Sequence, residues 1–215
     1  MSKKLVMGGG EEIRGAMEEI AVGAVYSSGS TWTRNISFGA PHPDRYIVVP
    51  FGVRLVEGNS FTSCTIGGVT ATIVASAEYN AVTRQHARIA VANIPTGSSG
   101  DVVITYSGGV YGMGASAYRM IHDDGAAYDI YQSTNANPND TLNVSNGPVV
   151  CCTVVKDGTT NGWTNADEAW EYDIDGNDWC SVAHVFEPGS GTRTISGANG
   201  GVKEANVYAS WDGDL

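Results

Sequence analysis

Between residues 45 and 109 apolar and polar positions alternate in successive runs, each closed by a turn signal. In RYIVVPFGVRLV, Ile47, Val49, Phe51, Val53 and Leu55 share one face, and Tyr46, Val48, Pro50, Gly52 and Arg54 share the other. This is the period of two that a strand imposes. Burying each side chain of the first set is worth roughly 1.5–3 kcal/mol, so a slip of register by one residue, which would expose all five, is strongly disfavoured. SFTSCTI and VTATIVAS are separated by Gly67-Gly68, a tight hairpin link. HARIAVANI runs into the turn Pro95-Thr96-Gly97-Ser98-Ser99-Gly100, and DVVITY then resumes the alternation with Val102, Ile104 and Tyr106.

Outside this cassette the same grammar continues. Residues 22–25 and 32–38 read as short strands around Ser27-Ser28-Gly29-Ser30, and Pro41-His42-Pro43-Asp44 forms a rigid loop. VYGMGASAYRMI is strand-like, with Gly112 and Gly114 marking a bulge or another chain passing close. The Asn-, Asp- and Ser-rich stretch 123–140 is expected to be a loop. PVVCCTVV is apolar on both faces and belongs at the centre of a covered sheet. EYDI and WCSVAHVF flank the hairpin signal Asp175-Gly176-Asn177-Asp178, and VKEANVYASW is the last strand. Eleven or twelve strands with regular turns, and no 20–50-residue repeat, predict an all-β antiparallel sandwich of jelly-roll type around one core.

The first residues differ. In EEIRGAMEEI, Ile13, Met17 and Ile20 stand at helical spacing, which fits one or two helical turns or, given Gly15, an extended arm. The expected organisation is an N-terminal arm over 1–21, docking on a neighbouring subunit, and a single sandwich domain over 22–215.

Composition narrows the class. Twenty-eight glycines, 16% charged and 42% hydrophobic residues describe short strands joined by tight turns. A formal charge of −11 and no basic stripe argue against a nucleic-acid partner. Lys3-Lys4 precede only Leu5-Val6-Met7, too short for a secretory core, and no run reaches the ~20 apolar residues of a membrane span. Cys64, Cys151, Cys152 and Cys180 lack metal-ligand spacing and are expected as core thiols, with Cys180 and one of Cys151 or Cys152 the alternative disulfide pair.

DRYIVVPFGVR, CTIGGVTATIV, ANIPTGSSGDVVITYSGG and GASAYRM together resemble a recurrent group of small virion-associated proteins of tailed phages and prophages, over about residues 32–121. The shared pattern is a DRxxVV strand, a TIGGVxAT hairpin and a PTGxSGDVVVT turn and strand, here at 44–49, 65–72 and 95–105. The resemblance implies a β-sandwich fold and a place on a phage particle. It carries no catalytic residue with it.

Candidate chemistry is sparse. Glu171-Tyr172-Asp173-Ile174-Asp175 resembles the ExDxxE strand of a jelly-roll group of glycoside hydrolases, but the second Glu of that pattern falls on Gly176. Asp173, Asp175, Asn177 and Asp178 offer oxygens to calcium, yet the glycine of an EF-hand loop is misplaced, and a plain hairpin is expected. His122-Asp123-Asp124 and His42 with Asp44 are too short to define a site. Trp163, Trp170, Tyr172 and Trp179 gather around the acidic hairpin, as aromatic platforms for sugars do, or as packing and interface residues do. Trp179 shares the alternation of Ser181, Ala183 and Val185 and is expected to be buried.

The function expected is therefore non-enzymatic, with no cofactor and no metal: a structural subunit, capsid decoration or head or tail appendage, made in the host bacterial cytoplasm and carried on the virion. It would contact other phage structural proteins and form a homo-oligomer, a trimer being favoured. The alternative is a carbohydrate- or receptor-binding module at a tail tip or fibre, meeting a host surface glycan through Trp163, Trp170 or Tyr172. A jelly-roll glycoside hydrolase is the distant alternative.

Overall fold

The alternating runs form strands, and no described residue is helical. The computed structural model describes residues 17–25, 29–79, 84–134, 140–156, 160–174, 178–186, 189–199 and 203–213. In these the strands are β1 (Met17–Val25), β2 (Thr31–Ser37), β3 (Arg45–Leu55), β4 (Phe61–Ile66), β5 (Val69–Thr70), β6 (Thr72–Tyr79), β7 (Arg84–Asn93) and β8 (Ser99–Tyr106). They continue as β9 (Val110–Ile121), β10 (Asp129–Ser133), β11 (Asp140–Lys156), β12 (Thr160–Thr164), β13 (Asp167–Asp173), β14 (Asp178–Val185), β15 (Ser190–Asn199) and β16 (Lys203–Asp212).

Three antiparallel sheets pack face to face. The central one runs β1-β9-β3-β7-β6, one neighbour runs β2-β8-β4-β5, and the other runs β10-β16-β11-β14-β13 with β15 and β12 added through β11. The all-β antiparallel sandwich is thus as the strand patterns predict. The single core is instead divided, because the central sheet is apolar on both faces. Ile47, Val49, Phe51, Val53 and Leu55 of β3 pack with Trp32, Ile36, Cys64, Ile66, Val102 and Ile104 of the first neighbour. Val48, Ala87, Ile89 and Tyr118 face Val150, Cys152, Val154, Cys180 and Val182 of the second. A third cluster, with Leu142, Val144, Cys151, Ala183, Ile195 and Tyr208, fills the far side of that second sheet. PVVCCTVV, in β11, is buried on both faces as expected, and all four cysteines are buried free thiols.

The layers approach closely where side chains are missing. A Cβ on Gly52 would overlap the Cys180 sulfur and a Val154 methyl, and one on Gly112 would overlap the Ile174 carbonyl. At Gly114 it would meet the Trp170 ring. The two glycines of VYGMGASAYRMI therefore mark a close approach.

Several expectations change. Met17 and Ile20 are in a strand and not a helix, so they point to opposite faces. Met17 packs with the cluster behind the central sheet and Ile20 with the one in front. The boundary placed at residue 21 falls inside β1, which pairs with β9 from Met17↔Met120 to Val25↔Met113. Ile13 lies outside the described residues. The stretch 123–140 contains β10, paired to β16. Two further strands, β12 and β15, pair with each other, and β15 also pairs with the first residues of β11. Trp179 is half-buried.

Candidate functional site

Three separated motifs meet at one corner. Arg45, fully buried at the start of β3, donates from Nε to Ile94 O at 2.7 Å. Its Nη1 donates to Phe38 O at 3.3 Å, Gly39 O at 3.1 Å and Ala40 O at 2.7 Å. Its Nη2 donates to Thr96 O and Gly97 O, both at 2.8 Å. The guanidinium also lies 5.7 Å from the Phe38 ring centroid. A planar cation with a fixed fork of donors suits several carbonyls at once. The hairpin Gly67-Gly68, both residues at positive φ, docks beside it: the Gly67 amide donates to Asp101 O at 2.8 Å, and a Cβ on Gly67 would stand 3.1 Å from the Phe38 ring. The DR strand, the IGG hairpin and the PTGSSGD turn thus form one structural unit.

A polar seam joins the central sheet to the second neighbour. Trp170 Nε1 donates to Ser116 Oγ, and the Tyr118 hydroxyl pairs with His184 Nδ1 at 3.2 Å. His184 stacks on Phe186 with centroids 4.0 Å apart, and Tyr118 meets both rings edge-on. Burial holds the Tyr118 phenol well above its ordinary value, so it stays protonated and donates to a neutral His184. Burial lowers His184, with Asp167 opposing. Glu19, opposite Tyr118 on β1, is raised by burial. Glu168 is raised by burial and then by Glu171.

The acidic hairpin is turned partly inward. Asp178 is completely buried, accepts from Gln85 Nε2 at 3.0 Å and lies 3.2 Å from Arg54 Nε, whose guanidinium covers the Tyr111 ring at 4.6 Å. The Ile174 amide donates to Asp178 O at 2.7 Å, closing the turn, while Asp175, Gly176 and Asn177 lie outside the described residues. Glu171 and Asp173 are half-buried on β13. Among the described residues no group of three or more His, Cys, Asp or Glu is placed to hold a metal ion.

The aromatic candidates separate. Trp163 meets Tyr208 edge-on at 5.8 Å and donates from Nε1 to Ser181 Oγ at 2.7 Å. Trp170 lies against Gly114 and bonds Ser116, so its indole packs between layers, whereas that of Trp163 packs on the far face of its own sheet. Tyr172 is 37% exposed on the edge strand β13.

Two histidines are fixed by their surroundings. His122 Nε2 donates to Asp212 Oδ1 at 2.6 Å, while Nδ1 accepts from the Gly125 amide at 3.1 Å and the Asp124 amide at 3.4 Å. Both ring nitrogens are engaged, which fixes the ring in place. His86 is 1% exposed and its Nδ1 pairs with Arg88 Nη1 at 3.0 Å; Arg88 also donates to Glu78 and lies over Phe61 at 4.5 Å. Burial first, then Arg88 and Arg84, bring His86 down to about 3. Glu78 lies 3.7 Å from the same Nδ1 and would favour a proton there, but Arg88 already occupies that nitrogen as donor, so the imidazole is neutral. Neither the Arg45 carbonyl cage nor the Ser116-Tyr118-His184 seam was legible in sequence. The one available sign was that Arg45 opens a strand whose next eight residues carry no charge.

These features define a layered antiparallel β protein whose most elaborate polar constructions join its own segments. The chain matches no family model, no curated protein and no solved structure at a significant level.

Proposed function

We propose that this protein is a non-enzymatic structural subunit of a tailed-phage particle, a decoration or appendage component that acts by contact with neighbouring subunits. The observation that carries this reading is the corner around Arg45. The stretches that resemble virion-associated proteins are the ones that build it, and their polar groups bond main-chain carbonyls. Motif residues used in this way preserve a scaffold, and a scaffold works through its surface. The experiment is mass spectrometry and cryo-electron microscopy of purified particles from an induced lysogen or infected host. A fixed copy number and density fitting the three-layer sandwich support the reading. Absence from particles overturns it.

A second reading, a glycan-binding module, is favoured by Tyr172, which is 37% exposed beside the carboxylates Glu171 and Asp173 on β13. An aromatic face with adjacent acceptors suits a pyranose ring. Binding of the isolated chain to host envelope glycans, lost in Tyr172→Ala, would support it. No binding at millimolar glycan would remove it.

A further inference from the structure

Among the described residues the three sheets have seven edge strands, and six of them are blunted. On one side of the stack, β5 has only two residues. On the same side the Ser76 amide of β6 is capped by Gln132 Oε1 at 2.9 Å, and the Ile130 amide of β10 by Asp129 Oδ1 at 2.9 Å. On the other side β1 is bulged between Glu19 and Ala21, and β13 between Glu168 and Trp170, while β12, the outer strand beyond β15, is irregular between Thr160 and Trp163. Short strands, capped amides and bulges are the usual defences against edge pairing. The seventh edge, β2, keeps unbroken register with β8 over all seven residues, from Thr31↔Thr105 to Ser37↔Ser99.

The direction of the β2 amides follows from its ends. Tyr106 N donates to Ser30 O and Phe38 N to Ser98 O, both at 2.8 Å, so the even-numbered residues of β2 bond β8. Thr31, Thr33, Asn35 and Ser37 therefore point their main-chain N–H and C=O groups outward, and all four residues are exposed. No described residue bonds those groups.

We propose that β2 pairs antiparallel with β2 of a second copy of this chain, about a two-fold axis through Thr33. In that register Thr33 faces Thr33 of the partner subunit and Thr31 faces Asn35 of the partner subunit, each a hydrogen-bonded pair built from outward groups. Between them Arg34 faces Trp32 of the partner subunit in a close, non-hydrogen-bonded pair, where a guanidinium on an indole is attractive. Pairing about Arg34 instead would set two guanidinium groups directly opposite, which is destabilising. The same contact covers the small apolar groove lined by Ala21, Trp32, Arg34, Ile36 and Ala115, between the edges of the central sheet and its neighbour. One copy's two-fold patch is self-complementary, as an isologous interface requires. The inference deepens the subunit-contact reading, on which it rests, by naming the partner and the register.

The test uses the full chain. Analytical ultracentrifugation near 100 μM should show a dimer for the wild type. Thr33→Pro removes one outward N–H and leaves the bonds to β8 intact, so it should fold and dimerise at least tenfold more weakly. Thr33→Cys should crosslink between chains on oxidation, because hydrogen-bonded partners stand about 5.5 Å apart at Cα, within disulfide reach. The four native thiols are buried and do not compete. Arg34→Cys should not crosslink. A monomeric wild type, a folded Thr33→Pro variant that dimerises fully, or crosslinking by Arg34→Cys and not by Thr33→Cys would each overturn the inference. Should Thr33→Pro not fold, the two cysteine variants decide. Particles that incorporate the chain without the Thr33→Cys crosslink refute this contact and leave the structural-subunit reading standing. Crosslinked dimers absent from every particle refute that reading instead.

Discussion

The guanidinium of Arg45 and the carbonyl of Gly97, 2.8 Å apart, fasten β3, the middle strand of the central sheet, to a turn fifty-two residues later in the chain. Five more carbonyl bonds from the same side chain hold the 38–40 loop, Ile94 and Thr96. Replacement of Arg45 by Met leaves buried carbonyls without donors and should cost about 3 kcal/mol or more. Lys, with a single point of charge, should rescue less than half of that. Urea denaturation of the two variants checks both, and an Arg45→Met variant within 1 kcal/mol of wild type would show that the corner is ornamental.

The Gly114 to Trp170 contact sets the spacing of the second interlayer seam. Gly114→Ala should displace the indole, breaking its bond to Ser116 and costing about 1–3 kcal/mol through overpacking. Near-ultraviolet circular dichroism reports the ring, and an unchanged spectrum would contradict the docking described.

Stability should fall on acidification through His86. Its folded-state value of about 3 lies below the ordinary 6.5, so the unfolded chain binds a proton that the folded chain refuses between these limits. The contribution is complete above pH 6.5 and is lost as pH falls toward 3, with a slope on the order of 1.4 kcal/mol per pH unit. His184, also lowered, acts in the same sense, whereas Glu19, raised above 4.5, destabilises the fold as pH rises past that value. His86→Gln, which can still accept from Arg88, should flatten the slope between pH 6.5 and 4. A variant with the wild-type slope would show that His86 takes up its proton in the folded state.

The cysteines should be inert in the native state. Burial pushes Cys64 up to about 12 and raises Cys151 and Cys152 as well. A thiol held protonated and covered does not alkylate. Iodoacetamide at pH 8 should label none of the four in native protein and all four in urea. Labelling of native Cys64 would sink this.

Glu171→Ala with Asp173→Ala tests the enzymatic alternative directly. Particles carrying the double variant should assemble normally and lose no glycan-cleaving activity on the host envelope. Intact particles that do lose such an activity would overturn the structural-subunit reading, since only turnover requires those carboxylates.

Strand identity was written in local alternation. The odd positions from Ile47 to Leu55, the Gly67-Gly68 link and the doubly apolar run containing Cys151 and Cys152 each announce a strand, a turn or a covered sheet, because side-chain period and backbone φ are local properties. Where the alternation is faint, as in SGTRTISGAN and TNGWT, the strands β15 and β12 were not legible, since they are defined by their partners more than by their own faces. The spacing of Met17 and Ile20 misled for a related reason. Three residues apart suits one face of a helix, but pairing with β9 makes the segment a strand and sends the two side chains to opposite cores. A sequence states that a face is apolar and not what covers it. Only the tertiary structure decided that the central sheet has a neighbour on each side, that Arg45 would find its acceptors in the loop after Ser37 and in the turn after Ile94, and that β2 would lie at the end of its sheet. Those outcomes rest on contacts between residues tens of positions apart, and such contacts depend on how whole layers fit together.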